Sequence, residues 1–186
     1  MSNVSHLSNS LFIYRRTNSM VQFTLPTVGD LKFPNTTDGY WEFPLKFSDR
    51  DVAFDVNVED GEMTETLYER VKSFVVDAGG FDATARSAIR ADFAGDPEGS
   101  SSLYLSHHAN EFNGEERAQH FGSRDAKNLG VDQLLEAIHL KRIGLYPDSD
   151  DYVAVFDYTI DENATDYVLA VEFDETGAVI GISMDS

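Results

Sequence analysis

Apolar and polar positions alternate at both ends of the chain, and an apolar spacing of three to four residues occupies the middle. In the N-terminal half, Val21, Phe23 and Leu25 alternate with polar residues, as do Leu31 and Phe33 after Gly29-Asp30. Trp41, Phe43, Leu45 and Phe47 then alternate with Glu42, Pro44 and Lys46, and Val52, Phe54, Val56 and Val58 with Ala53, Asp55 and Asn57. A period of two is the mark of half-buried strands. Pro44 has no amide to donate, so its strand belongs at an edge. The aromatic row Trp41, Phe43 and Phe47 reads as core before it reads as a binding surface.

Helical spacing takes over at Met63, Leu67, Val71, Phe74 and Val75, with Gly79-Gly80 as the expected stop. Ala85, Ala88, Ile89 and Phe93 predict a second helix, N-capped by Asp82 and ending near Gly95. A third is expected over Ser102 to Phe112, and a fourth from Val131 through Leu134, Leu135 and Ile138. From His139 to Ser186 the pattern reads as a helix exit followed by a three-stranded antiparallel meander. Its strands are Tyr152 to Ile160, Tyr167 to Phe173, and Val179 to Met184 after Asp174-Glu175-Thr176-Gly177, where the glycine supplies a positive φ.

The predicted fold is therefore α+β: an antiparallel sheet that includes the C-terminal meander, with three to four helices packed mainly on one face. Loops between adjacent strands are too short for crossovers, which argues for antiparallel pairing. Within the meander, Tyr152, Ala154, Phe156, Tyr158 and Ile160 share one face and Val153, Val155, Asp157 and Thr159 the other. Both faces are largely apolar, so this strand is expected to be central.

The residues Ile143-Gly144-Leu145-Tyr146-Pro147, Val155-Phe156-Asp157-Tyr158-Thr159-Ile160, Thr165-Asp166-Tyr167 and Phe173-Asp174-Glu175-Thr176-Gly177 resemble the closing signature of a bacterial family. That family is the DUF two-thousand-and-four group, and the likeness is firmest from Leu134 to Ser186. It implies a small bacterial cytoplasmic protein. The family has no established activity, so the resemblance assigns no site residue.

Charge changes the picture more than length does. The chain of 186 residues carries thirty-three acids against fourteen bases, a formal net charge of −19. Nucleic acid and anionic membranes are poor partners for such a surface, whereas a basic protein would be steered toward it. Cysteine is absent, which excludes disulfides, a thiolate nucleophile and Cys-type zinc sites. No apolar run reaches the length of a membrane helix or a signal-peptide core, so a cytoplasmic location is expected. Residues 1–19 hold two arginines and no acid, and the regular pattern begins at Met20. This predicts a disordered N-terminal extension over 1–19 and a single domain over 20–186.

Candidate chemistry is sparse. His107, His108 and Glu111 are standard metal ligands, with Glu115, Glu116 and His120 downstream. On a helix the three share one sector, which the stripe Leu105, Ala109 and Phe112 places away from the core. Asp157, a carboxylate beside Val153 and Val155, is the candidate catalytic residue; the alternative is a buried acid paired with a neighbour. Asp148-Ser149-Asp150-Asp151 is acidic but lacks the glycine and terminal Glu of a calcium loop. No phosphate-binding glycine pattern and no serine elbow is found, and no cofactor is expected. The sequence thus favours a non-enzymatic acidic interaction protein, of the kind that would block a basic toxin as an immunity protein does. A metal-dependent hydrolase using the His/His/Glu cluster is the alternative, as is a small-ligand binder with a pocket between sheet and helices.

Overall fold

A computed structural model describes residues 21–25, 29–33, 39–59 and 62–186. The expected extension over 1–19 lies outside the described residues. Strands β1 (Val21–Leu25) and β2 (Gly29–Phe33) form a two-stranded antiparallel sheet. The main sheet has six strands: β3 (Tyr40–Phe47), β4 (Arg50–Asn57), β5 (His139–Leu145), β6 (Ala154–Thr159), β7 (Val168–Phe173) and β8 (Val179–Asp185). They lie side by side in chain order. Thus β6 is interior and Pro44 falls on the edge strand β3, as its missing donor requires. Gly177 sits at φ 80° in the β7–β8 turn, a region that favours glycine.

Two features of the sheet depart from expectation. His139–Leu145 is a strand, which makes the closing meander four strands long. A register shift between Leu140 and Arg142 breaks the period of two there and hides the strand in the sequence. The second is that β5 pairs with β4 in parallel, Phe54 opposite Ile143 and Asp55 opposite Gly144, although all other pairs in the sheet are antiparallel. The link from β4 to β5 carries all the helices among the described residues, so it is a long crossover and not a short loop.

The helices are α1 (Glu65–Val76), α2 (Ala78–Gly95), α3 (Ser100–Glu111), α4 (Gly114–Phe121) and α5 (Val131–Ala137), with a 3₁₀ turn at Ala126–Asn128. Gly79-Gly80 does not end the first helix. The break falls at Asp77, and both glycines lie in the first turn of α2. Asp82 is likewise no cap: it lies inside α2 and turns to the sheet, accepting from the Tyr158 hydroxyl at 2.9 Å and pairing with Arg86 at 3.1 Å. Helix α4 was not expected. Asn113 and Glu116 close a capping box at its start, with Asn113 accepting from the Glu115 and Glu116 amides while Glu116 accepts from Asn113.

Helices α1 and α2 cover one sheet face. Phe74 and Phe81 stack at 4.4 Å and meet Phe173 edge-on, and Phe81 also reaches Phe156. Cross-strand register puts Phe54, Ile143, Phe156 and Val171 in one row on this face, all fully buried. Each such side chain contributes about 1.5–3 kcal/mol relative to exposure. The covered face therefore holds the fold together, which leaves the opposite face free to carry charge.

Candidate functional site

On the opposite face the register aligns Ala53, Arg142, Asp157, Ala170 and Ser183 in one row, and Glu42, Asp55, Gly144, Val155, Glu172 and Gly181 in the next. Tyr40 and Asn57 are paired one step further along. A charged cluster occupies the centre. Arg142 on β5 donates from Nε and Nη2 to Asp55 on β4 at 2.6 and 2.8 Å, and from Nη1 to Asp157 on β6 at 2.9 Å. Its Nη2 also donates to the Tyr146 hydroxyl at 2.9 Å. Asn57 donates to the Oδ1 of Asp55 at 2.7 Å.

Close approach is possible because Gly144 lies under the guanidinium. A Cβ there would come within 2.7 Å of the Arg142 Cζ. Small neighbours on the other side, Ala170 and Ser183, leave Asp157 with few polar partners. Asp157 is 8% exposed and Asp55 3%. Burial raises the Asp157 pKa, with Asp185 and Asp55 adding to it, against the hydrogen bond and charge of Arg142. For Arg142 burial opposes the charge, but the bonds from Asp55, Tyr146 and Asp157 outweigh it and hold the pKa above its usual value. The guanidinium is therefore a permanent cation held between two acids. Asp157 has a partner, as the structural alternative for it required.

Around this centre the face is acidic and aromatic. Six carboxylates, Glu42, Asp51, Asp55, Asp157, Glu172 and Asp185, share it by register with two cations, Lys46 and Arg142. Both cations are already paired, Lys46 with Asp51 at 2.6 Å. Tyr152 was expected on the Phe156 face, but β6 begins only at Ala154 and its ring instead meets Tyr146 edge-to-face with centroids 5.1 Å apart, beside Arg142; Tyr40 is 46% exposed. The Tyr40 hydroxyl donates to Glu42 at 3.3 Å.

The histidine cluster lies elsewhere and differs from its expected arrangement. The inward stripe of α3 is wider than Leu105, Ala109 and Phe112, because Ser101, Tyr104 and His108 are buried with them. His108 therefore points inward at 1% exposure, while Glu111 is exposed. The His108 Nδ1 faces the Tyr104 carbonyl at 2.7 Å and can only donate to it; Nε2 then accepts from the Thr165 hydroxyl at 3.0 Å. Burial lowers its pKa, as do His107 and His120, against the Tyr104 carbonyl and Glu111. Among the described residues no three His, Cys, Asp or Glu side chains come together in a way that could hold a metal ion.

The acidic turn at 148–151 serves the backbone: Asp148 accepts from the Glu59 amide at 2.8 Å and the Ser149 hydroxyl accepts from the Asp151 amide at 3.2 Å. A groove of about 460 Å³ runs between α2, α3 and the 3₁₀ turn, walled by Phe93, Leu105, Ala109 and Leu129. It lies among helices, not between sheet and helices where a ligand pocket was expected. No helix among the described residues is long and apolar enough to cross a membrane.

Sequence reasoning singled out Asp157 but not Arg142 or Asp55. Each is a charge directly against a large apolar neighbour, Asp55 between Phe54 and Val56 and Arg142 between Lys141 and Ile143. That shared oddity was the available signal. No family model, no curated protein and no solved structure matches the chain.

Proposed function

We propose that this chain is a non-catalytic acidic protein that docks a basic protein partner on the open face of its sheet, in the manner of an immunity protein that blocks a cationic toxin. The observation that carries this reading is the charge on that face, where six carboxylates stand against two cations that are already paired. A formal charge of −19 adds long-range attraction for a basic partner and raises the rate of encounter. Helices fill the other face, so the open face offers a rigid sheet whose central charges are fixed by hydrogen bonds before a partner arrives. The reading keeps the resemblance of Leu134 to Ser186 to the DUF two-thousand-and-four group, which implies a bacterial cytoplasmic setting.

The test is co-expression with the products of the genes beside this one. A neighbouring product that arrests growth should be neutralised by this chain and co-purify with it. The double reversal Glu42→Lys with Glu172→Lys should abolish both effects while the variant stays folded. Rescue that survives this reversal, or the absence of any toxic or bound neighbour, would overturn the reading.

A further inference from the structure

The open face holds more than negative charge, and the extra detail bears on the chemistry of the partner. Tyrosines stand close to the acids. The charges of Asp55, Glu42 and Arg142 all act on the Tyr40 hydroxyl, and those of Glu172, Asp151 and Arg142 on Tyr152, whose ring meets Tyr146. Tyr146 is in turn fixed by its hydrogen bond from Arg142. Rings held beside carboxylates accept a planar cation better than a point charge, because guanidinium can stack on the ring while its edge donates to an acid.

The spacing of the acids says how such a cation would be presented. Glu42 lies on β3 and Glu172 on β7, four strands apart in the same row. At about 4.8 Å between strands this is about 19 Å, too far for one side chain to serve both. An extended segment of about six residues covers that distance. Between the two ends the row holds Asp55, Gly144 and Val155, and Arg142 reaches Asp55 from the neighbouring row.

We propose that the open face receives an arginine-rich extended segment of the partner laid across the strands, its guanidinium groups stacked on Tyr40 and on the Tyr146–Tyr152 pair and bonded to Glu42 and Glu172. This rests on the docking reading above and adds to it the side-chain chemistry that the partner must supply. Within the chain the Arg142 guanidinium is bonded by two carboxylates and a tyrosine hydroxyl on the same face, and the Arg86 guanidinium lies over the Tyr158 ring at 5.4 Å, so both kinds of contact already occur in this fold.

The experiment is calorimetric titration of the full chain with capped hexa-arginine and capped hexa-lysine, which carry equal charge, at fixed ionic strength. Hexa-arginine is expected to bind about fivefold more tightly than hexa-lysine, as stacking of one exposed guanidinium on an aromatic ring allows. Tyr40→Ala should reduce that preference while Tyr40→Phe, which keeps the ring, should retain it; circular dichroism and melting confirm that both variants are folded. Glu42→Gln should weaken both peptides alike. Equal binding of the two peptides, unchanged in Tyr40→Ala, would overturn the arginine inference and leave the docking reading standing. Binding of neither peptide would overturn both.

Discussion

Asp55 and Arg142 join the sheet's parallel pair of strands through a two-point ion pair, Nε to Oδ2 at 2.6 Å and Nη2 to Oδ1 at 2.8 Å. Such a pair is costly to break from one side, because the remaining charge is left buried. Asp55→Ala should therefore lower unfolding free energy by about 3–5 kcal/mol in urea denaturation. Arg142→Met removes the cation that opposes the effect of burial on Asp157, which favours the protonated Asp157 carboxyl. Its deficit should shrink as pH falls from 7 toward 4. A deficit independent of pH would show that the carboxylates do not depend on Arg142.

Gly144 makes room for that guanidinium. Gly144→Ala places a methyl within 2.7 Å of the Arg142 Cζ, so the side chain must move. We expect a loss of about 1–3 kcal/mol, typical of overpacking. In an Arg142→Ala background the same change should cost much less, and a thermodynamic cycle of the four proteins measures the coupling. Additive losses would contradict the contact.

His108 should make stability depend on pH near neutrality. Its folded pKa is depressed by burial below the ordinary value of 6.5, so the unfolded chain binds the proton more readily. Stability from this group is fully present above pH 6.5 and is lost as pH falls toward the folded pKa. Relative to His108→Gln, the protein should lose up to ~1.4 kcal/mol per pH unit in that window. His107→Ala, by contrast, changes a half-buried residue and should stay within about 0.5 kcal/mol at pH 7.5. Identical pH profiles for the wild type and His108→Gln would refute the assignment.

Salt should stabilise the fold. A formal charge of −19 opposes compaction, and screening over about 10 Å at 0.1 M relieves it. The urea midpoint should rise between 0.05 and about 0.3 M sodium chloride, since most of the acids are exposed while the Arg142 cluster is buried and little screened. A falling midpoint would mean that surface ion pairs outweigh the repulsion.

The sheet was legible wherever alternation was clean. Phe43 to Phe47 and Val52 to Asn57 became strands because every second residue is a large apolar one, and Val179 to Met184 was readable from the Gly177 turn before it despite its own register shift. His139–Leu145 escaped since its register shift falls between Leu140 and Arg142, and with it went the parallel pairing to β4. The α1–α2 junction misled because two glycines sit one turn past the true break at Asp77. Helix α4 could have been read from Asn113 and Glu116, the two ends of its capping box. At the site, period two correctly put Asp157 on the face opposite Phe156, but its partners Asp55 and Arg142 lie 102 and 15 residues away in sequence, beyond the reach of any local pattern.

The claim that the open face docks a cationic partner is tested most directly by backbone amide chemical shifts during titration with hexa-arginine. The account predicts shifts concentrated at Glu42, Ala53, Val155, Glu172 and Ser183, fading as salt is raised, with α1 and α2 unaffected. Shifts concentrated instead on the acidic turns around Asp150 and Glu175, or on the helices, would contradict it.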